Sequence, residues 1–438
     1  MSTPPSTLDE FNRQLQSIEQ LIAKKDLRPA AERLNKLGRT APQHPAVYIL
    51  GMRLGEAAGN PKAALQAARR AVECAPGWPI AVIELAACLA RQNQWEEALV
   101  AAQKAIDRAP DDLPILSRAI DIATHARNSA VALPWLQKAA TLAPNNVPLQ
   151  RLLARALTDA GQIEEALRIL DAAVDATPSD SDVLAERMST AFRLGHSERA
   201  KQDATRLVEL APDNEVYRFW LQKLHGEVPS TQPNAMVQDL FNNYAPSFDM
   251  HLVQGLKYDT PRQVAEWIRG RYPTLELNVL DLGCGTGLLG AFLGRINGAL
   301  IGVDLSPKMV EQAARHDVYD RFHTVNLLDA LRETPDALYH VITACDVFIH
   351  VGDLSTAIPN ALRVLRPDGN LIFTCEEADE SGPDLVLRDS IRYAHKVSAI
   401  QALCKNSGFD DVAIEFADLR LERGAPIRGF RVIAHKPA

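Results

Sequence analysis

The sequence is poor in cysteine and has no excess of positive charge. Its six cysteines are scattered over 438 residues without a C-x-x-C pair, which argues against a disulfide framework and against a metal site. The net charge of −8 offers no general basic surface to nucleic acid or to an anionic membrane. Since no uncharged stretch is long enough to cross a bilayer and no signal peptide pattern is present, we expect a cytoplasmic protein without a membrane span.

Prolines recur at a fixed interval through the first half of the chain. They are Pro42, Pro76, Pro110, Pro144, Pro178 and Pro212, and the alanines Ala30, Ala64, Ala98, Ala132, Ala166 and Ala200 keep the same step of 34 residues. Such a period predicts stacked helix–turn–helix units, in which small residues allow close helix packing and proline ends the second helix of each unit. Because the chain is too long for one hydrophobic core, further domains are expected.

The two ladders resemble the tetratricopeptide repeat family over about residues 11–214, although the usual Trp and Tyr positions of the first helix are mostly aliphatic here. The resemblance implies an α-solenoid of six units with a capping helix, which we place at residues 1–225. The turn-rich segment 226–235 predicts a linker. A second domain, residues 236–438, follows it.

Arginines recur on one face of the first helices of the repeat units, at positions spaced four residues apart. They are Arg53, Arg91, Arg151, Arg155 and Arg193. Because arginine binds carboxylates well, they suggest a protein partner with an acidic or C-terminal peptide. The alternative is a solvated face on which these arginines pair with neighbouring acids.

A glycine-rich turn organises the second domain. The apolar run Leu275–Leu282 predicts a buried parallel strand, and Gly283, Gly285 and Gly287 follow it at alternate positions. From Leu288 onward the apolar residues have the spacing of a helix. A strand, a turn without Cβ atoms and a helix N-terminus together predict a cradle for a nucleotide-sized ligand, the alternative being an ordinary tight turn without a ligand.

Two ligands fit this turn. The spacing Gly285-x-Gly287-x-x-Gly290, with Asp304 further on, matches a dinucleotide site. Asp281 favours another ligand, because a carboxylate before the first glycine repels a diphosphate and attracts an ammonium or sulfonium group.

Asp281 and the glycines resemble the D-x-G-x-G-x-G motif of class I S-adenosylmethionine (SAM)-dependent methyltransferases, which implies an α/β Rossmann-like domain after the solenoid. The resemblance implies that the glycine turn packs on the methionyl group, that Asp304 binds the ribose and that Met309 and Asn326 lie near the adenine. The cofactor-binding set is then Asp281, Gly283, Cys284, Gly285, Gly287, Asp304, Leu305, Met309, Asn326, Leu327, Asp346 and Tyr244.

An aromatic segment precedes the glycine turn. In the methyltransferase resemblance it is a lid, and Tyr244 and Phe248 are candidates to cover a sulfonium with their ring faces. The alternative is that these rings join the two domains. Together with His251-Leu252 the segment resembles bacterial proteins that join tetratricopeptide repeats to a methyltransferase.

Candidate catalytic residues follow the fourth strand and the core. Asp346 and His350 come after the strand at 338–345, at the edge where open α/β sheets bind ligands. Arg392-Tyr393-Ala394-His395 resembles an R-Y-A-H element of the same fused proteins. For a hydroxyl or amine acceptor we expect His395 as general base, with His350 second. Arg392 or Tyr393 would instead orient a carboxylate or thiolate acceptor.

The sequence leaves several functions open. The first is SAM-dependent O- or N-methylation of a protein or peptide recruited by the repeats. The second is methylation of a small molecule or carrier-bound acid, with the repeats as a scaffold for partners. A SAM-binding scaffold without turnover is the third, and a nicotinamide-linked oxidoreductase is the fourth.

Overall fold

The computed structural model describes residues 7–245, 248, 258–422 and 425–438. The chain divides into two compact units, Met1–Asp203 and Ala204–Ala438. The predicted linker at 226–235 lies inside the second of them. Of the sequence features named above, His251-Leu252 lies outside the described residues.

Paired helices of regular length form the first half of the chain. They are α1 Thr7–Ala23, α2 Leu27–Thr40, α3 Pro45–Ala57, α4 Pro61–Cys74, α5 Pro79–Arg91, α6 Trp95–Arg108, α7 Leu113–His125, α8 Ser129–Leu142, α9 Val147–Asp159, α10 Ile163–Ala176, α11 Ser181–Arg193, α12 Ser197–Leu210 and α13 Glu215–Leu224. From α2 onward, helices of 14 and 13 residues alternate as far as α12. The predicted helix–turn–helix period is therefore confirmed.

Small residues and side-chain caps explain the close packing of these helices. Ala64 and Ala98 are fully buried, and a Cβ on Gly55 would lie 2.8 Å from the backbone nitrogen of Ala64. Asn60 and Asp112 each accept a backbone N–H in the first turn of the helix that follows. The periodic alanines therefore mark the positions where neighbouring helices meet most closely.

The arginines predicted to bind a peptide are largely paired with acids of neighbouring repeats. Arg53 contacts Glu19 and Glu84, Arg91 contacts Glu56 at 2.6 Å, Arg151 contacts Asp182 at 2.5 Å, and Arg155 contacts Glu186 at 2.7 Å. Arg193 is exposed near the end of α11. These pairs neutralise most of the predicted positive stripe and favour the solvated-face interpretation, in which exposed pairs contribute about 0–1 kcal/mol each.

A mixed sheet with helices around it forms most of the second unit. Its further helices are α14 Asn234–Tyr244, α15 Thr260–Arg271, α16 Leu288–Leu293, α17 Pro307–Ala313, α18 Leu327–Glu333, α19 Ala357–Val364 and α20 Val397–Ser407. Its strands are β1 Val279–Leu282, β2 Leu300–Asp304, β3 Arg321–Thr324, β4 Tyr339–Ala344, β5 Leu365–Glu377, β6 Leu385–Leu387, β7 Tyr393–His395, β8 Asp411–Glu422 and β9 Ala425–His435.

The strand order is that of a Rossmann-like fold. Strands β3, β2, β1, β4 and β5 are parallel neighbours in that order, and β9 pairs antiparallel with both β5 and β8. The short strand β7 pairs in parallel with the last residues of β5, and β6 pairs antiparallel with β7. The chain order therefore reverses between β1 and β4, and a crevice opens beyond their carboxyl ends.

Aliphatic side chains fill both faces of this sheet. Val279, Val341 and Ile372 pack against α15 and α16, whereas Leu280, Ile342 and others pack against α18, α19 and α20. In the described part of the chain, no helix combines the length and the apolar character needed to cross a bilayer.

Several strand boundaries differ from those that the sequence predicts. Strand β1 begins at Val279 rather than at Leu275. The sequence also predicts a third strand that begins at Arg321 and ends at Asn326, but β3 ends at Thr324, because Asn326 accepts the backbone N–H of Leu328 and starts α18. It predicts a strand over Val412–Phe416, whereas β8 extends to Glu422. This longer strand brings Arg420 into the site described next.

Candidate active site

A cavity of about 570 Å³ lies beyond the carboxyl ends of the central strands, and α14 contributes part of its wall. Of the predicted site residues, the cavity is lined by Asp281, Gly283, Cys284, Gly285, Asp304, Leu305, Asn326, Leu327, Tyr244, Asp346, His350 and Arg392. Gly287, Met309, Tyr393 and His395 are not among its lining residues. The volume is in the range of pockets that bind small ligands and cofactors.

Glycine is required at the first turn position by both conformation and space. Gly283 has φ +63°, and a Cβ there would lie 2.4 Å from Cγ2 of Val347. Gly285 has φ +54°, and its backbone N–H donates to Asp304 at 2.9 Å. The turn therefore presents bare backbone to the cavity.

Asp281 is a buried carboxylate at the floor of the cavity. The hydroxyls of Tyr319 and Thr343 donate to its two oxygens at 2.7 and 2.8 Å. Burial raises the pKa of Asp281 from 3.8 to about 6, against the lowering effect of these hydrogen bonds. The group is therefore negative at neutral pH and attracts a cationic ligand more strongly than it would in water.

Ligand affinity should depend on this ionisation. Asp281 becomes neutral as the pH falls through about 6, so a ligand with a positive group loses its counter-charge. We expect S-adenosylhomocysteine to bind about tenfold more weakly at pH 5 than at pH 7.5, measured by titration calorimetry. In Asp281→Asn, affinity should be lower at pH 7.5 and should vary little over this range. A flat profile in the unaltered chain would contradict the electrostatic role.

Asp304 organises the opposite side of the glycine turn. Its oxygens accept the backbone N–H groups of Gly285 at 2.9 Å and Ser306 at 2.8 Å. Burial raises the pKa of Asp304, and the backbone hydrogen bonds oppose that shift. Each carboxylate oxygen has a further lone pair, so Asp304 can accept from two adjacent ribose hydroxyls, as SAM requires.

The position of Tyr319, which the sequence did not single out, explains why glycine occupies positions 287 and 290. Its hydroxyl donates to Asp281 and accepts the backbone N–H of Gly290 at 3.2 Å. A Cβ on Gly290 would lie 2.3 Å from the Tyr319 ring, and one on Gly287 would lie 3.0 Å from Ala313. Gly287 and Gly290 therefore leave room for protein packing, which accounts for the G-x-G-x-x-G spacing without a dinucleotide.

Residues after the second and third strands form the part of the cavity where the sequence predicts the adenine. Leu305, Asn326 and Leu327 line the cavity there. The side-chain oxygen of Asn326 already accepts from Leu328, and its nitrogen donates to Asn234 at 2.6 Å. Met309 is fully buried, since Ser306 caps α17 and turns this residue into the core, so the predicted contact of Met309 with adenine has no support from the cavity wall.

Aromatic rings from the segment before the glycine turn form a cluster at the cavity. Phe248 packs edge-to-face against Tyr244 at 5.4 Å and Phe241 at 6.2 Å between ring centroids. The Phe248 ring is also the nearest group to a Cβ built on Gly285, at 3.7 Å. The cluster therefore stands over the turn where the sequence predicted a lid, and its π faces are suited to a sulfonium.

His350 lies at the end of the cavity beyond β4. Its Nδ1 lies 2.9 Å from Oε1 of Gln232, and its ring meets Phe241 edge-to-face at 5.2 Å. Burial, together with the positive charges of Arg392 and Arg420, lowers the pKa of His350 to about 3. The imidazole is therefore neutral at physiological pH.

Asp346 belongs to a buried charge network that includes a residue missed from the sequence. Nη1 of Arg420 donates to both Asp346 oxygens at 2.6 and 2.8 Å, and Nη2 donates to Glu376. Arg388 donates to the other Glu376 oxygen at 2.9 Å. Arg420 is 4% exposed and lines the cavity. Because these charges compensate one another, the network can remain buried beside a ligand.

The R-Y-A-H element divides between the cavity and the packing behind it. Arg392 lines the cavity, as predicted. Tyr393 is fully buried and donates to the carbonyl of Pro229 at 2.7 Å, whereas Nε2 of His395 donates to the carbonyl of Gly352 at 2.7 Å. The preferred general base, His395, is therefore not brought to the cavity wall. His395 and Tyr393 are two residues apart in β7, so their side chains lie on the same face of the strand. Both pack against Gly352 in the loop after His350.

Tyr258 is a further cavity residue that the sequence did not single out for chemistry. Burial raises the pKa of Tyr258, and the nearby charge of Asp346 raises it further. The phenol is therefore protonated at neutral pH and can donate a hydrogen bond into the cavity that it lines.

Known proteins match separate parts of the chain. The family described as "Methyltransferase domain" matches residues 280–373, and the family described as "Tetratricopeptide repeat" matches residues 123–185. The mitochondrial ubiquinone biosynthesis O-methyltransferase of Bos taurus is 32% identical over 140 residues, which cover 30% of this chain and 37% of the bovine protein. The chain therefore spans well under two thirds of that relative.

Two solved structures resemble separate parts of the chain. One is YrrB, a tetratricopeptide repeat protein, with 18% identity and a TM-score of 0.38, covering 42% of this chain and 95% of YrrB. The other is magnesium protoporphyrin IX methyltransferase from Synechocystis PCC 6803 with bound SAH, with 20% identity and a TM-score of 0.36, covering 46% of this chain and 98% of that enzyme. The family matches therefore place a tetratricopeptide repeat at residues 123–185 and a methyltransferase domain at residues 280–373.

Proposed function

We propose that the chain transfers the methyl group of SAM to an oxygen atom of an acceptor with a hydroxyl or carboxyl group. The observation that carries the proposal is the arrangement of one cavity, with Asp281 and Asp304 at the glycine turn and His350, Arg392 and Arg420 at the other end. When bound, SAM supplies a methyl group on a positively charged sulfur, which is an activated electrophile.

The residues around the glycine turn would hold the cofactor and exclude water. Asp304 would bind the ribose, and Asp281 would supply the negative charge that favours the cationic end. Phe241, Tyr244 and Phe248 cover this region with apolar surface. Orientation of the reacting atoms in such a site can supply roughly 7–11 kcal/mol of the barrier reduction.

The other end of the cavity favours an oxygen acceptor over an amine. The imidazole of His350, with its pKa lowered to about 3, is too weak a base to take a proton from an ammonium group before transfer. A hydroxyl or carboxylate oxygen needs no such deprotonation, and the charge of Arg420 is balanced there by Asp346 and Glu376. The bovine relative is an O-methyltransferase, which agrees with this preference.

Neutral His350 can assist a hydroxyl acceptor despite its weak basicity. A hydroxyl oxygen that is gaining a methyl group becomes a much stronger acid than the free hydroxyl, so the proton can pass to Nε2 as the new C–O bond forms. A carboxylate acceptor has no proton to lose and would need only orientation, for which Arg392 and Tyr258 are placed.

The tetratricopeptide repeats favour a second candidate, in which the oxygen belongs to a protein or peptide that the repeats recruit. Incubating the full chain with extract of its native host and methyl-labelled SAM distinguishes these cases. The label should enter O–CH₃ groups, recognised by the NMR shift of the methyl carbon, and separation by size tells protein from small molecule. Label found only on nitrogen would overturn the proposal.

The two histidines should differ sharply in their effects. With a hydroxyl acceptor identified in this way, His350→Gln should lower kcat by about 10²-fold, because the proton acceptor is lost. His395→Gln is the matched control, since glutamine can still donate to the Gly352 carbonyl, and its pH profile should follow that of the unaltered chain. If His395→Gln instead abolished a limb of the profile, His395 would be the base.

A further inference from the structure

The segment that precedes α14 forms part of the cavity wall. Thr231 pairs with Val351 in an isolated antiparallel bridge, and the backbone N–H of Gln232 donates to the carbonyl of His350 at 3.1 Å. The carbonyl of Ser230 accepts the backbone N–H of Asp353 at 2.8 Å. Both Thr231 and Gln232 line the cavity, although the sequence predicted only a linker at this position.

Two buried side chains of β7 hold this segment and the loop after His350 in place. Tyr393 bonds the Pro229 carbonyl, and His395 bonds the carbonyl of Gly352. Gly352 has no room for a side chain, since a Cβ there would lie 2.6 Å from the Tyr393 ring and 3.0 Å from the Ser230 carbonyl. The segment and the loop after His350 are therefore fixed against each other.

The orientation of the Gln232 amide follows from its partners. Its nitrogen donates to the carbonyl of Ile391, so its oxygen, Oε1, is the atom that faces His350. An amide oxygen can only accept, and Nδ1 of His350 lies 2.9 Å from it. Nδ1 must therefore carry the hydrogen, and Nε2 of the neutral ring is left as an acceptor.

We propose that Gln232 is a positioning residue that holds His350 in the Nδ1–H tautomer, so that Nε2 accepts a hydrogen bond from the acceptor hydroxyl. Because Gln232 is 5% exposed and is anchored through Ile391, it can impose this tautomer without contacting the acceptor's reacting oxygen. The catalytic consequence rests on the proposed function, whereas the tautomer itself does not.

The tautomer can be observed without turnover. In the full chain labelled with ¹⁵N-histidine, long-range ¹H–¹⁵N spectra show which ring nitrogen is protonated, and the His350 signals are those missing from His350→Gln. We expect a single Nδ1–H form. Gln232→Leu should lose this single form, while Gln232→Glu should keep it because a carboxylate also accepts from Nδ1. Gln263→Leu, at an exposed glutamine on α15, is the matched control and should change nothing.

Either of two results overturns the positioning role: an Nε2–H form in the unaltered chain, or an unchanged tautomer in folded Gln232→Leu. The first does not depend on Gln232→Leu, so a misfolded Gln232→Leu does not protect the proposal. With SAM and the hydroxyl acceptor identified by methyl labelling, Gln232→Leu should lower kcat about tenfold without changing KM for SAM, and Gln232→Glu should restore part of it. An Nδ1–H form in a chain that methylates only amines would support the positioning role and overturn the proposed function.

Discussion

Replacing Asp304 with alanine should weaken binding of S-adenosylhomocysteine by about 10²–10⁴-fold, because two charge-assisted hydrogen bonds of about 1.5–3 kcal/mol each are lost. The carboxylate also holds the N–H groups of Gly285 and Ser306, so its removal releases the turn that packs against the ligand. Titration calorimetry at pH 7.5 measures the change.

Asp304→Asn is the control for this substitution. Asparagine keeps one acceptor oxygen but cannot accept at both positions, so its affinity should fall between those of the alanine variant and the unaltered chain. Circular dichroism shows whether each variant is folded. If folded Asp304→Ala bound S-adenosylhomocysteine within about threefold of the affinity of the unaltered chain, Asp304 would not be a ligand-binding residue. Such a change in affinity corresponds to less than 1 kcal/mol of binding free energy.

Replacing Gly283 with alanine should have the second large effect, on both ligand affinity and stability. The new Cβ would lie 2.4 Å from Val347, and alanine would have to adopt φ +63°. The clash and the backbone strain together should cost about 2–5 kcal/mol. We expect a lower melting temperature and loss of measurable binding of S-adenosylhomocysteine.

A second substitution separates the two causes. Gly283→Ala with Val347→Ala removes the clash but leaves the strained φ, so it should recover part of the stability. Gly270→Ala is the matched control, because a Cβ at this position in α15 meets nothing within 4 Å. It should leave binding intact and raise stability by up to about 1 kcal/mol. Equal damage from Gly270→Ala and Gly283→Ala would show that the Gly283 contact is not specific.

The fold could be predicted from the sequence where a repeated pattern carries the information. The 34-residue step of alanine and proline predicts the paired helices, since each unit repeats the same packing and the same stop signal. In the second unit, Asp281 and the glycines that follow β1 predict the turn because a positive φ restricts residue type locally.

The partners of charged groups were harder to predict, because they come from distant parts of the chain. Arg420 is 74 residues from Asp346, and no local spacing relates the two. The repeat arginines are an exception, and their pairing with neighbouring acids was one of the two alternatives that the sequence offered: Arg151 and Arg155 each pair with an acid 31 residues further on, so the acids recur almost in step with the repeats.

Which of the two histidines reaches the cavity depends on the neighbouring strands and segments, not on residue type. His350 follows β4, whereas His395 ends β7, which buries it against the carbonyl of Gly352. His350 instead starts the loop beyond β4 and meets Gln232 from a segment 118 residues earlier. Pairing of that kind is set by tertiary packing, which a single sequence does not display.

Calorimetry on the full chain at pH 7.5 tests whether the cavity beneath the aromatic cluster selects a cationic sulfur ligand over a diphosphate. SAM and S-adenosylhomocysteine should each bind at a single site, and Asp281→Asn should lower the affinity for SAM. NADH should produce no heat of binding. Absence of heat with SAM and its demethylated product, together with saturable binding of NADH, would contradict the assignment.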